Sequence, residues 1–339
     1  QDISNGRIEG FDVVLNKPKT AAYRAPGAPA AAFAMETVVD EICEQIGIDP
    51  LEFRVLNASK EGSRRLTGPL FGSIGNLETV QAAIDHPHWN TPLEGTNRGR
   101  GVASGYWFNA TGPASATASV NSDGTVSLIE GSPDIGGSRA AVSMQLAEVL
   151  GIAAEDVRPV IGDTDSVGYT SLTGGSSVAF KTGWACYEAA MDIKQQFVER
   201  AARIWDVDSS LVEYSDGTLS HISDPELKIT FKEMAARLNS TGGPITGRGN
   251  VSPTGVGGSF ATHIVDVEVD PETGKIDILR YTAVQDVGKA VHPSYVEGQI
   301  QGGSAQGIGW ALNEEYIFCL LYTSPRPRDL STSRMPSSA

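Results

Sequence analysis

Between Asp286 and Glu315 the chain runs DVGKAVHPSYVEGQIQGGSAQGIGWALNEE. Gly298, Gly302, Gly303, Gly307 and Gly309 recur inside a stretch whose other residues favour helix, with Gln299, Gln301 and Gln306 between them. A helix-interior glycine costs about 1 kcal/mol relative to alanine, so five together need a compensating gain. One gain is close helix–helix packing. Another is the approach of a bulky ligand to bare backbone, with the carboxamides offering neutral donors and acceptors to a polar, multi-ring molecule. Spacing alone leaves both readings open.

Three further constellations carry polar groups in a pattern. In Tyr23-Arg24-Ala25-Pro26-Gly27, Arg24 is a cation in apolar surroundings, and the simplest expectation pairs it with Glu36 or Asp40. Asp134-Ile135-Gly136-Gly137-Ser138-Arg139 leads into a helical pattern, where free N–H groups attract a phosphate or oxo group. Thr173-Gly174-Gly175-Ser176-Ser177 opens a loop in which small residues let N–H and hydroxyl donors converge on an anion. It lacks the lysine spacing of a nucleoside-triphosphatase loop. Asp163 and Asp165 read as turn-capping residues. His86, His88, His221, His263 and His292 lack metal-ligand spacing, so no protein metal site is assigned. His292-Pro293 reads as a turn and helix start.

The glycine-rich segment resembles the cofactor-contacting DxGxxxxP…GQxxGGxxQGxGxAL run of the molybdenum hydroxylases, the xanthine dehydrogenase/aldehyde oxidase family. Two more blocks resemble that family in the same order. The first is AYRAPGAP at 22–29 with the following Gly47-Ile48-Asp49-Pro50, Phe53-Arg54 and Asn57. The second runs from Glu130 to Gly183 through EGSPDIGGSR, QLAEVLGI, IGDTDS and LTGGSSVAFKTG. The resemblance implies an internal fragment of the molybdopterin-binding large subunit, covering nearly all of Asn5–Phe318. It implies an α+β fold of mixed sheets and helices, and hydroxylation of aldehydes or N-heterocycles with water as the oxygen source. Molybdenum would arrive on molybdopterin in its cytosine dinucleotide form, with FAD and two [2Fe–2S] clusters on medium and small partner subunits.

Carried over residue by residue, the resemblance puts Arg24 and Gln299 near the pterin. It adds Gly136, Gly137, Gly174, Gly175 and Ser176 as cofactor contacts, and Pro26 and Phe108 as the substrate pocket. Gly137 stands where the family usually has Gln. Ala25 stands where carbon monoxide dehydrogenases place a Cys, which argues against that activity. A GGFGGK-like loop is expected ahead of Gln1. The GxGE loop with the general-base glutamate is expected beyond Phe318, and no Glu here stands in a matching context, so the catalytic base is unassigned. The rival reading is a noncatalytic scaffold or binding module on the same fold.

The elements that must position these groups follow from pattern. Gly10–Asn16 reads as a short strand. A helix is expected over Ala30–Ile46, burying Phe33, Val38, Ile42 and Ile46, and Asp49-Pro50 starts another. Residues 60–92 read as irregular, with 76–97 linking a first domain (1–75) to a second (98–318). Strands are expected within 98–129, with a hairpin turning at Asn121–Gly124, and at 157–161. Helices are expected over Ala140–Leu150, stopping at Gly151, and over Ala185–Trp205. A second hairpin joins Ser259–Val269 to Lys275–Val284. Glu130–Gly151 and Asp286–Leu312 share an order of strand, Asp-x-Gly, helix, the outline of an internal repeat.

The 339 residues carry a net charge of −15, which argues against nucleic acid and anionic membranes as partners. No apolar run approaches the roughly 20 residues of a membrane span. Cys43 and Cys186 are expected as buried small hydrophobes in a reducing compartment, the cytoplasm. Residues 319–339 break the pattern and resemble a translated sequencing adapter, so they are set aside as a non-native tail.

Overall fold

The structure, a computed structural model, describes residues 5–15, 19–255 and 257–315. Helices α1 (Ala28–Ile46), α2 (Pro50–Asn57), α3 (Asn76–Asp85) and α4 (Pro87–Asn90) come first, followed by strand β1 (Arg98–Trp107). Next are β2 (Ala114–Val120), β3 (Val126–Glu130), α5 (Ser138–Leu150), β4 (Val157–Ile161), α6 (Thr164–Val167) and α7 (Val178–Trp205). Strands β5 (Val212–Ser215), β6 (Thr218–His221) and β7 (Lys228–Thr230) precede α8 (Phe231–Thr241) and β8 (Thr246–Val251). Strands β9 (Ser259–Val269) and β10 (Ile276–Gln285) then lead to α9 (Pro293–Leu312). The fold is α+β, as the three separate sheets among the described residues and the helices packed on them require.

The chain divides into two compact units. Unit 1 takes the described residues within 1–107, 258–288 and from 298 onward; unit 2 takes 108–257 and 289–297. Unit 1 is built on the antiparallel sheet β1-β9-β10, with Leu51, Val80, Ala83, Val102 and Ile264 as its apolar centre. Its edge strand β1 is covered by an ion pair. Arg54, 7% exposed, bonds Glu36 and donates to the Val102 carbonyl at 3.0 Å, while Glu36 accepts from Ser104 N–H at 2.7 Å. Two unpaired backbone groups of the edge are thereby satisfied.

Unit 2 carries the mixed sheet β4-β3-β2-β8 and the small sheet β5-β6-β7. Strands β3 and β4 run parallel, which their connection through α5 permits. Its core joins Ala116, Leu128, Leu146, Ile193, Phe197 and Met234. Helix α7 lies close on β8 because that strand presents Gly247 and Gly249. A Cβ on either would overlap the backbone carbonyls of Ala189 and Ala185.

Several expectations need correction. The described part of the proposed 10–16 strand is unpaired coil, because no neighbouring strand supplies its ladder. On α1 the buried residues are Val39 and Cys43, whereas Phe33, Val38, Ile42 and Ile46 are exposed. The helix turns inward the side that meets Arg54, not its more apolar side. Residues 76–97 hold α3 and α4, and His88 is 1% exposed. Helix α7 begins at Val178, seven residues before the expected 185, so part of the second family-like block is helix. The tail beyond 318 lies outside the described residues.

Candidate functional site

In unit 1 the site grows from the turn ahead of α1. Ala25 and Gly27 both adopt left-handed backbone (φ 56° and 75°), and Ala28 N–H closes the turn onto the Ala25 carbonyl at 3.0 Å. This tight reversal around Pro26 sets Tyr23 and Arg24 just ahead of α1. Arg24 Nη2 donates to both the main-chain oxygen and Oε1 of Gln299, each at 3.0 Å. The expected partners Glu36 and Asp40 instead flank Arg54, Asp40 at 4.0 Å. Tyr23 stacks on Trp310, with ring centroids 6.1 Å apart.

At 100° per residue, Gly298, Gly302, Gly303, Gly307 and Gly309 surround Gln299, Gln306 and Trp310 on one half of α9. Among the described residues no helix packs there. A Cβ on Gly298 or Gly307 would meet nothing within 4 Å. Over Gly302 and Gly303 only Arg24 comes near, at 3.6 and 3.8 Å, and over Gly309 only Glu314. The packing explanation for the glycines therefore fails among the described residues, and the bare face with its fixed guanidinium is what they produce. On another side of α9, the buried Ser304 hydroxyl has no hydrogen-bond partner among the described residues, and the Tyr281 hydroxyl of β10 lies 2.7 Å from His263 Nδ1. Burial raises the Tyr281 phenol and lowers His263, so both stand neutral near pH 7.

Where β10 ends, Asp286 Oδ1 accepts from Gly288 N–H at 3.0 Å and Oδ2 from Gly75 N–H at 2.8 Å. In unit 2 the corresponding Asp134 Oδ1 accepts from Gly136 N–H at 2.9 Å and Ser138 N–H at 3.0 Å. The Arg139 guanidinium bonds its other oxygen at 3.0 Å. The two Asp-x-Gly segments thus form the same local turn between a strand and a helix. Burial pushes the Asp134 carboxyl up, but Arg139 and these N–H donors outweigh it and hold the group well below the usual carboxylate range. Gly136 and Gly137 are left-handed (φ 119° and 88°), and Gly137 stands before α5 with no side-chain cap.

Gly174, Gly175 and Ser176 form the loop ahead of α7, with left-handed φ at Gly175 and Ser176. The fully buried Lys181 holds this loop through the Ser171 and Leu172 carbonyls and the Ser171 hydroxyl, all within 2.8 Å. Its ammonium pKa is lowered by burial. Phe108 is tied to the same loop two residues on, because Ala110 N–H donates to the Gly175 carbonyl at 2.6 Å. Thr173 Oγ1 is buried with no hydrogen-bond partner among the described residues. A buried hydroxyl left so is a place for a further polar group.

Of the expected site residues, Arg24 and Gln299 meet directly, and Pro26 is the exposed corner of the Arg24 turn. Within unit 2 the two glycine loops are linked beneath their tips by Ser132 Oγ and Thr182 Oγ1, 2.7 Å apart. Sequence reasoning missed Tyr23, Trp310, Lys181 and Glu130. Glu130 is 1% exposed, and its carboxyl is pushed up by burial to about 7 against the Ser132 N–H bond. Its position at a strand end before Gly-Ser-Pro was the available signal.

The chain matches molybdopterin cofactor-binding domains over residues 2–58 and 77–338, the latter match running through the C-terminal stretch set aside above. It is 30% identical over 341 residues to the xanthine dehydrogenase molybdenum-binding subunit of Escherichia coli O157:H7, covering 95% of this chain and 45% of that one. To the aldehyde oxidoreductase molybdenum-binding subunit of Escherichia coli K12 it is 29% identical, covering 89% and 41%. The CO dehydrogenase of Oligotropha carboxidovorans superposes with TM-score 0.77 at 20% identity, covering 87% of this chain and 41% of that one, a likeness of fold. The chain spans less than half the length of these curated relatives.

Proposed function

We propose, because the chain belongs to the molybdopterin cofactor-binding domain family, that it is part of the large subunit of a molybdenum hydroxylase acting on aldehydes or N-heterocycles. The observation that carries this reading is the bare glycine face of α9 with the Arg24 guanidinium fixed on it by Gln299. The donor set fits the cofactor. Arg24 is a permanent cation for a phosphate or ring oxygen, and among the described residues the Gln299 amide N–H groups and the Gln306 carboxamide on the same half of α9 are uncommitted. Among the described residues only Arg24 and Glu314 come over the glycines of that face, and the Tyr23–Trp310 stack lies on it.

In unit 2 the left-handed turns at Gly136-Gly137 and Gly175-Ser176 are of the kind that can hold anionic oxygens on backbone N–H groups, although Gly136 N–H is itself spent on Asp134. Arg139 on Asp134 and Lys181 under the second loop keep both turns rigid. When bound, the molybdenum cofactor supplies the oxidation that places a water-derived oxygen on carbon. The chain's own part is binding and orientation. Pro26 in unit 1 and Phe108 in unit 2, both exposed, are the proposed substrate-facing residues.

The cytosine dinucleotide form of the cofactor, and partner subunits carrying FAD and [2Fe–2S] clusters, complete the proposal, as does a cytoplasmic site. The buried free thiols of Cys43 and Cys186 support a reducing compartment. Among the described residues no helix is long and apolar enough to cross a membrane. The general base is proposed to lie beyond Phe318. Supplied with cofactor, an artificial electron acceptor and a panel of aldehydes and N-heterocycles, this chain is expected to show no turnover. A chain extended past Phe318 through a GxGE-type glutamate is expected to turn over at least one of them. Turnover by the shorter chain would put the base among the present residues; none by either would favour a noncatalytic module.

A further inference from the structure

Gly137 lacks a side chain for a reason that its φ alone does not give. A Cβ built there would run into the Tyr295 ring, overlapping Cδ2 and lying 2.6 Å from Cε2. Tyr295 belongs to the first turn of α9, and it is locked in place. Its ring lies parallel to the His292 imidazole, centroids 3.8 Å apart and planes within 3°. The His292 carbonyl accepts the N–H groups of Tyr295 and Val296, both at 3.1 Å, and Ser294 Oγ sits 3.2 Å from His292 Nδ1. The ring is 47% exposed, and its hydroxyl has no hydrogen-bond partner among the described residues. The stack holds the half-exposed hydroxyl in a fixed position, from which it can donate to an oxygen of a ligand in place of water.

We propose that Tyr295 is the ligand-facing side chain of the Gly137 turn, its phenol donating a hydrogen bond to an oxygen of the bound cofactor. Gly137 is glycine because the ring takes the space of its side chain. The inference rests on the cofactor reading above and adds to it a residue that neither composition nor motif singled out. A phenol is neutral and short of rotamers once stacked, so it offers one directed donor at little entropic cost.

The test separates the hydroxyl from the ring. Tyr295→Phe keeps the stack and removes only the donor. Molybdenum cofactor released from a donor molybdoenzyme is titrated anaerobically into the chain, and binding is followed by quenching of tryptophan fluorescence. Loss of one neutral hydrogen bond is expected to weaken binding about 2- to 12-fold, with the thermal midpoint unchanged. In parallel, Gly137→Ala is measured in the Tyr295 and Tyr295→Ala backgrounds. Left-handed strain is common to both and cancels, so a smaller loss of stability in the Tyr295→Ala background isolates the steric clash. Binding unchanged in Tyr295→Phe but weakened in Arg24→Ala overturns the inference and leaves the cofactor reading standing. Binding insensitive to both sinks the cofactor reading and the inference with it. Additive stability losses overturn the steric pairing.

Discussion

Removing the carboxylate of Asp266 should cost unit 1 most of its local stability. Asp266 sits on β9 directly across from Arg100 on β1 and is 3% exposed. The guanidinium grips it with two bonds, Nε at 2.7 Å and Nη2 at 2.9 Å. His88 Nε2 lies 3.0 Å from its second oxygen, while His88 Nδ1 sits 2.8 Å from Thr282 Oγ1. Burial lowers the His88 pKa despite the carboxylate beside it, so the ring is held neutral with Nε2 close to the carboxylate and Nδ1 close to the Thr282 hydroxyl. Asp266→Ala leaves a half-wrapped guanidinium and a buried ring nitrogen without a partner. Breaking such a buried pair costs about 3–5 kcal/mol.

Segment-resolved hydrogen exchange is the suitable assay, because it reports the two units separately. Amides of β1, β9 and α4 should lose protection by about a hundred- to several thousand-fold, with β2 and β8 unchanged. The Arg100 bonds, and His88 after them, also hold the Asp266 pKa below its usual value. Their contribution is therefore present above the unfolded carboxylate pKa and is lost as pH falls through the lower folded one. The wild-type chain should approach the variant only in strong acid. A loss under tenfold at neutral pH would refute the view that this cluster, rather than the small apolar centre, holds α4 to the sheet.

Gly249→Ala, at a position with ordinary backbone, should destabilise unit 2 by about 1–3 kcal/mol or more through overpacking against the Ala185 carbonyl; a denaturation midpoint equal to wild type would contradict the α7–β8 contact. Glu130, raised to about 7, gives the opposite pH sign to Asp266. Its contribution is fully present below the unfolded glutamate pKa and is lost as pH rises toward 7 and beyond. Glu130→Gln should therefore flatten the stability profile of unit 2 between about pH 4.5 and 7, and an unaltered profile would show that the carboxyl is ionised throughout.

Much of this architecture was legible where a local rule decides the outcome. Asp49 caps α2 through Leu51 and Glu52 N–H, Gly151 ends α5 in left-handed geometry, and Asn121–Gly124 and Asp270–Gly274 turn their hairpins. The legible parts of the site were those where a motif sits next to its own turn, as at Asp134 and Asp286.

What failed depended on partners distant in sequence. Arg24 had acids within reach along the chain, yet its ligand is Gln299, brought by α9. The apolar stripe of α1 misled because the edge of β1 needed the Arg54–Glu36 pair, which fixes which side of the helix faces inward. The His86-Pro87-His88 run looked like linker because nothing local announces Asp266 as the partner of His88. Helix α8, by contrast, was missed although Thr230 and Glu233 spell a capping box that the structure forms.

The central claim is that α9 and the Arg24 turn form a cofactor-holding face. The most direct measurement is equilibrium binding of released molybdenum cofactor to the wild-type chain, to Arg24→Ala, to Gln299→Ala and to the double variant. Hydrogen bonds to a charged group contribute about 1.5–3 kcal/mol, so Arg24→Ala should weaken binding by about 10- to 150-fold. Gln299→Ala should weaken it less, and the double variant should fall short of the product because the two side chains act through one shared bond. Equal affinity across all four proteins would contradict the account.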